Sequence, residues 1–255
     1  MQIADAEIHL WQLEQSDFDL PAVQAECLSW LTDIELQRYQ RYQFDRHRKQ
    51  LLLGRILMRA ALSSYNNAIA PAHWTFTQNE YGKPAICAAQ NSEPLYFNLS
   101  HSGQRAVLAV SRLEDIGIDI EFAKKARRVE AIAQRFFSAT EVAQMLTLPK
   151  ALQLDRFYEL WTLKEAYIKA CGMGLAIPLQ HFSYGFEGED SLTIEFDVRR
   201  EDSTSAWQVW QLDAGTDYKL AIAARAEGSV QKISSWQFSS LDRIAERETT
   251  VLRSK

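Results

Sequence analysis

Two short segments carry the residue types that could hold a metal ion and a phosphate: GIDIE at Gly117 to Glu121 and WTLKEAYIK at Trp161 to Lys169. In an extended GIDIE, residues two apart share a face, so Asp119 and Glu121 project together while Ile118 and Ile120 turn to the core. The pair is a two-pronged oxygen ligand for a hard cation. In a helical WTLKEAYIK, Glu165 lies between Lys164 and Lys169, a third carboxylate flanked by two ammonium groups placed to neutralise phosphate oxygens. The combination points to phosphoryl-type chemistry, where positioning and charge neutralisation dominate. Either segment alone also reads as plain structure. Carboxylates alternating with isoleucines suit any half-buried strand, and Glu165 with Lys169 is an i,i+4 helix pair worth about 0.2–0.5 kcal/mol.

The two cores stand 42 positions apart, counted from Asp119 to Trp161. Upstream lie YGKP at Tyr81 to Pro84 and FNLSHSG at Phe97 to Gly103, and between the cores lies RFFSATE at Arg135 to Glu141. As an ordered set running from about Leu31 to Ala224, these motifs resemble the Sfp-type 4′-phosphopantetheinyl transferases. That family's signature is a G-[IV]-D strand followed at this spacing by W-x-x-K-E-[AS]-x-x-K. The resemblance implies Mg2+-dependent transfer of the 4′-phosphopantetheine arm of coenzyme A to a serine of an apo acyl or peptidyl carrier protein, with adenosine 3′,5′-bisphosphate released. The carriers would be those of fatty acid, polyketide or nonribosomal peptide biosynthesis. It further implies Asp119 as a metal ligand, Glu121 as a ligand or the holder of a metal-bound water, and Glu165 as either a third ligand or the base for the incoming serine.

Asp119, Glu165 and Lys169 are thus the expected catalytic set. By the same resemblance Ser100 faces the pyrophosphate and His101 the 3′-phosphate. Arg38 falls where the family has one phosphate-binding lysine, while Glu35 falls where it has the other. Lys83, Lys164 and Lys169 complete the expected coenzyme A contacts. A Ser100-His101 pair alone would suggest a nucleophilic hydrolase, but no G-x-S-x-G elbow surrounds it. Two other readings stay open: another Mg2+-dependent enzyme of nucleotide pyrophosphates, and an inactive module binding coenzyme A or a carrier. The intact acidic and lysine set argues against the second.

The chain of 255 residues is 47% apolar, enough for a sizeable core, and its formal charge of −5 argues against general nucleic-acid binding. A local basic run, Lys124, Lys125, Arg127 and Arg128, is suited to the acidic surface of a carrier. Cys27, Cys87 and Cys171 are odd in number, widely spaced and lack a C-x-x-C arrangement. Neither a disulfide framework nor a zinc site is expected, and a reducing cytoplasm fits. The most apolar stretch, Leu51 to Leu62, is interrupted by Arg55 and Arg59, and no cationic leader precedes an apolar core. A monomeric cytoplasmic protein without a membrane span is therefore expected.

The elements that must position these residues follow from periodicity. Ile3, Ile8, Leu10 and Leu13 alternate with polar neighbours, predicting one or two opening strands. A helical region runs from about Asp33 to Leu62 with a break near Asp45, Thr32 or Asp33 capping its start, and Arg41, Arg48, Arg55 and Arg59 lining one face. Strands are expected at WTFTQ, LYFNLS, AVLAVS and GIDIE. Ser138 with Glu141 forms a capping box, and a helix covers Phe157 to Lys169, ending near Gly172 and Gly174. Strands return at HFSYGF, SLTIEFDV, WQVWQL and YKLAIAAR, before a polar tail. This order suggests an α+β fold of two similar halves, 1–114 and 115–255, the second holding most of the metal and catalytic residues. The resemblance implies a pseudo-twofold pair of such halves with the active site between them.

Overall fold

The computed structural model describes residues 1–124 and 129–255. Of the basic run expected to meet a carrier, Lys125, Arg127 and Arg128 lie outside the described residues, while Lys124 pairs with Asp217 at 2.6 Å.

The opening alternation becomes one strand, β1 (Glu7–Glu14), buried on both faces. Next comes a short helix the periodicity did not signal, α1 (Leu20–Cys27), capped by the Asp19 carboxylate, which accepts from the Ala22 amide. The expected helical region divides just before Asp45 into α2 (Asp33–Arg41) and α3 (Asp45–Tyr65). Arg41 therefore sits on a different helix from Arg48, Arg55 and Arg59. Thr32 and Glu35 close a reciprocal capping box at the start of α2. A hairpin, β2 (Phe76–Gln78) with β3 (Pro84–Ile86), leads to β4 (Tyr96–Ser102) and β5 (Arg105–Ser111).

The second half repeats the order. After β6 (Ile116–Phe122) come α4 (Val129–Phe136), α5 (Ala139–Thr147) and the long α6 (Lys150–Cys171), then the hairpin β7 (Phe182–Glu187) and β8 (Ser191–Phe196), then β9 (Trp207–Leu212) and β10 (Tyr218–Arg225). Helix α6 extends the expected span by two turns at its start and stops where Gly172 adopts a left-handed φ of 69°. The inner sheet orders match: β1-β5-β4 in one half and β6-β10-β9 in the other, every pair antiparallel. Each three-strand unit carries one long helix on its outer face, α3 and α6, of 21 and 22 residues.

The expected polar tail is instead ordered sheet. Residues past Val230 form β11 (Lys232–Ser240), β12 (Arg243–Arg247) and β13 (Val251–Ser254). β11 crosses back to pair parallel with β1, so residues 115–255 do not stay in one half, and β13 inserts between β9 and β8. Trp236 and Phe238 anchor β11 on the first half's core, while β12 is exposed along its whole length, which is why its sequence reads as a tail.

Three apolar clusters follow from this layering. One lies between α3 and the first sheet, one between α6 and the second, and a third joins the inner faces of the two sheets. Ile116, Ile118 and Ile120 all point into this third cluster, as their alternation predicts. The opposite face of β6 is left to Gly117, Asp119 and Glu121, which lie against α6. Among the described residues, no helix is long and apolar enough to cross a membrane, and the three cysteines are free.

Candidate active site

β4 and β6 are the facing edges of the two sheets, and side chains rather than a backbone ladder join them. The Asn98 Oδ1, Ser100 Oγ and Ser102 Oγ atoms of β4 accept the β6 amides of Ile118, Ile120 and Phe122 at 3.0, 3.4 and 3.0 Å. This satisfies amides that an edge strand would otherwise bury unpaired. The two serine hydroxyls then donate to the carboxylates between those amides: Ser100 to Asp119 Oδ1 at 2.9 Å and Ser102 to Glu121 Oε2 at 2.8 Å. The first half thus aims the acids of the second.

Helix α6 closes the other side. Gly117 lets it settle directly on β6, since a Cβ at that position would overlap the Ala166 carbonyl oxygen and the Ala170 amide. Ala221 and Ala223 of β10 keep the rest of the contact thin. Trp161, Glu165 and Lys169, spaced i, i+4 and i+8, form the helix face that reaches the junction. The Lys169 ammonium donates to Asp119 Oδ1 at 2.6 Å, to Ser100 Oγ at 3.0 Å and to the Ile118 carbonyl at 3.3 Å. Trp161 packs on Phe136 and Phe157 at ring distances of 5.9 and 5.7 Å while also lining the cleft, so its expected core role is only half of what it does.

The result is a cleft of about 480 Å³ between the halves, lined by Asp119, Glu121, Glu165 and Lys169 on one side and by Arg38, Arg55 and His101 on the other. Burial, followed by repulsion from Asp119 and Glu121, pushes the Glu165 carboxyl up to about 7 against the opposing pull of Lys169. Asp119 is nearly buried, and its Oδ2 has no hydrogen-bond partner. An orphaned carboxylate oxygen beside a proton-hungry glutamate is a site short of positive charge.

A hard divalent cation fits that deficit. Among the described residues no group of three or more acids, histidines or cysteines is drawn together as a metal cage, so Asp119, Glu121 and Glu165 do not form a closed three-carboxylate site. Such a cation needs only one or two carboxylates, with water and phosphate oxygens completing its shell.

The opposite wall is cationic. His101 is held below its ordinary pKa, first by desolvation and then by the charges of Lys169, Arg38 and Arg55. Glu35 pairs with both Arg55, at 2.7 Å, and the buried Arg59, at 3.0 Å. One carboxylate cannot neutralise those two guanidiniums and Arg38 together, so the wall keeps a positive excess suited to an anion. The acid at position 35 thus organises arginines instead of removing a binding charge.

Two expected coenzyme A contacts lie elsewhere. Lys164 is fully buried on the far side of α6, paired with Glu141 at 2.8 Å and donating to the Leu179 and Phe182 carbonyls at 2.7 and 2.6 Å. The angular offset from Glu165 and Lys169 along the helix sends it into the core. Glu141, read only as a capping residue, is its counter-ion and also accepts the Tyr184 amide at 2.8 Å. Lys83 caps the end of α6 by donating to the Ala170 carbonyl at 2.7 Å, and Asn79 donates to the Gly172 carbonyl at 2.7 Å. The YGKP loop is thereby clamped to the other half, leaving Gly82 on the cleft. The Ser100 hydroxyl, expected on the pyrophosphate, is directed to Asp119 and Lys169. Asn98 and Ser102 join the site outside the expected set, and their spacing with Ser100 along one strand is the signal that marks them.

Family models match both halves: residues 11–113 fit the 4′-phosphopantetheinyl transferase N-terminal model, and residues 115–223 fit the 4′-phosphopantetheinyl transferase superfamily model. A 4′-phosphopantetheinyl transferase of Bacillus subtilis is 39% identical over 181 residues, covering 71% of this chain and 75% of the relative. The chain belongs to the 4′-phosphopantetheinyl transferase family. Two further members are the 4′-phosphopantetheinyl transferase HetI of Nostoc sp., 36% identical over 67% of this chain and 70% of that one, and Sfp of Bacillus subtilis, 33% identical over 81% and 88%. This chain is accordingly a phosphopantetheinyl transferase, and its cleft lies where the two matched segments meet.

Proposed function

We propose that the enzyme transfers the 4′-phosphopantetheine arm of coenzyme A, with Mg2+, to a serine of an apo acyl or peptidyl carrier protein and releases adenosine 3′,5′-bisphosphate. The observation that carries this reading is the opposition of charge across one cleft, with carboxylates and Lys169 facing a wall of arginines and His101. A pyrophosphate with a further phosphate monoester matches that polarity. Asp119 and Glu121, with Glu165 beside them, would hold the cation, which when bound neutralises pyrophosphate oxygens and eases departure of the nucleotide.

The remaining chemistry belongs to the chain. Lys169 is a point charge for the oxygen that gains charge as the bond breaks. Arg38, Arg55 and His101 support anchoring of the 3′-phosphate. Glu165, with its raised proton affinity and its place in the cleft, suits it to take the serine proton as the serine oxygen bonds to the β-phosphorus and the pyrophosphate P–O bond breaks. The free thiols support a reducing, cytoplasmic setting, and we take the working species as a monomer.

Incubation with coenzyme A, Mg2+ and a panel of apo-carriers from fatty acid, polyketide and nonribosomal peptide synthesis tests the proposal by intact mass. One carrier or more should gain a single phosphopantetheinyl group, and its Ser→Ala form should gain nothing. Asp119→Ala should lower kcat/KM on the order of 10²–10³-fold in a folded protein. Dephospho-coenzyme A should bind roughly ten- to hundredfold more weakly than coenzyme A, and His101→Ala should shrink that gap. No modification across the panel, or turnover insensitive to chelator, would overturn the reading.

A further inference from the structure

We infer that Ser102 is a positioning residue of the metal site, a role the family resemblance does not give it, and that it acts by fixing the Glu121 carboxylate. The inference rests on the proposed Mg2+ dependence but concerns a contact of this chain alone. Ser102 is 8% exposed, and its hydroxyl is used in both directions. It accepts the Phe122 amide at 3.0 Å and donates to Glu121 Oε2 at 2.8 Å. A hydroxyl has one proton to donate. An ionised carboxylate can only accept, so that proton goes to Glu121 while the Phe122 amide takes a lone pair of the same hydroxyl. One Glu121 oxygen is thereby held on the first half.

The rest of the β4 edge supplies the contrast. Ser100 repeats the arrangement one pleat earlier, on Ile120 and Asp119. Asn98 differs, since its Oδ1 accepts the Ile118 amide at 3.0 Å and an amide oxygen has no proton to give a carboxylate. Joining the two edges therefore requires only an acceptor at each position. The hydroxyls at 100 and 102 are the additional feature, and both fall opposite the cleft carboxylates. Glu121, a long side chain with three rotatable bonds, stands near the end of β6. Holding one oxygen reduces the rotamer entropy lost on metal binding and orients the other. Sub-ångström placement of a first ligand by a second group is the usual source of such affinity effects.

The test measures Mn2+ binding by EPR titration of the whole enzyme saturated with coenzyme A and without carrier, so that turnover plays no part. Ser102→Ala should weaken Mn2+ about tenfold or more, and Ser102→Thr, which keeps the hydroxyl, should restore affinity to within a few-fold. Asn98→Ala also removes an acceptor from the β4 edge and serves as control. It should lower Tm about as much as Ser102→Ala yet leave Mn2+ affinity nearly unchanged. Equal Mn2+ affinity in wild type and Ser102→Ala overturns the assignment, as does an equal loss in Asn98→Ala, which would make the effect one of strand docking. A wild type that binds coenzyme A but no Mn2+ removes the metal reading itself, and this role with it.

Discussion

The two halves share one scaffold, a long helix on a three-strand unit of matching order, yet they meet their helices differently. In the first, β1 turns Trp11 and Leu13 toward α3, and both side chains are essentially fully buried in an apolar layer. In the second, β6 turns Gly117, Asp119 and Glu121 toward α6, and the missing side chain at 117 brings the helix backbone onto the strand. The polar link in the thick contact is a structural one, the Trp11 indole donating to the Tyr65 hydroxyl of α3 at 2.9 Å. The thin one brings the face of Trp161, Glu165 and Lys169 against strand carboxylates, with Lys169 2.6 Å from Asp119. One half contributes cations and a template of serines from its rim, and the other contributes acids from the seam between helix and sheet. Duplication of the fold thus does not duplicate the chemistry, because a single glycine decides how close the helix can come.

The sharpest break of this comparison lies within α6, where Lys164 and Lys169 face opposite sides. Lys164→Met leaves Glu141 buried without a counter-ion, and losing one partner of such a pair costs about 3–5 kcal/mol. Burial already lowers the Lys164 pKa against the pull of Glu141, so the pair depends on mutual contact. Lys169→Met should instead lower kcat/KM about a hundredfold or more with a smaller loss of Tm than Lys164→Met, since its pair with Asp119 lies on the cleft and Ser100 still donates to that carboxylate. Thermal unfolding and steady-state kinetics on both variants separate the roles. A normal Tm for Lys164→Met, together with a coenzyme A binding defect, would return that residue to the site.

Two glycines, Gly54 on α3 and Gly117 on β6, sharpen the same contrast. At Gly54 on α3 an added Cβ would meet only Leu99 Cδ2 at 3.4 Å, an ordinary contact. Gly54→Ala should therefore be neutral or stabilising by up to about 1 kcal/mol, the helix propensity gain. Gly117→Ala must push α6 off β6, with an overpacking cost of about 1–3 kcal/mol or more. Because that shift separates Lys169 from Asp119, activity should fall further than stability alone explains. Similar Tm values for the two variants would refute the thin-contact account.

Much of this was legible in the sequence where one period sufficed. A period of two put Asp119 and Glu121 on one face of β6 and the isoleucines on the other, and Ser138 with Glu141 announced its helix start correctly. What escaped depends on partners remote in the chain. Lys164 and Glu165 are neighbours in sequence, and only the placement of α5 decides that one is core and the other cleft. Lys83 reads as a phosphate contact until the end of α6 arrives beneath it. β11 to β13 lack a run of apolar residues because β12 is exposed and β13 is threaded between strands already formed. Ser102 was visible in its motif, but its use follows from β4 lying beside β6, which no local pattern encodes.

The smallest expected effect concerns the seam's own electrostatics. Without metal, Glu165 has a folded-state pKa near 7 against an ordinary value of 4.5, so between those limits the native protein binds more protons than the unfolded chain. Its contribution is fully favourable below about 4.5 and is lost as pH rises through about 7. Glu165 should therefore contribute a loss of stability in the metal-free enzyme across that window, by at most about 3 kcal/mol before solvent screening reduces it, against an opposite slope from His9 and His101, whose folded-state pKa values are lowered by burial. Glu165→Gln should flatten the slope, because the amide does not titrate. Mg2+ with coenzyme A should flatten it too, since a cation in the acidic cluster offsets the Asp119 and Glu121 repulsion that helps raise the carboxyl. Gly54→Ala adds no titrating group and its Cβ would meet only Leu99, so this first-half variant should keep the wild-type pH slope. Tm measured from pH 5 to 8 with chelator, then with Mg2+ and coenzyme A, reads all four cases. A slope unchanged in Glu165→Gln would move the proton uptake away from the seam and leave the contrast between the halves purely steric.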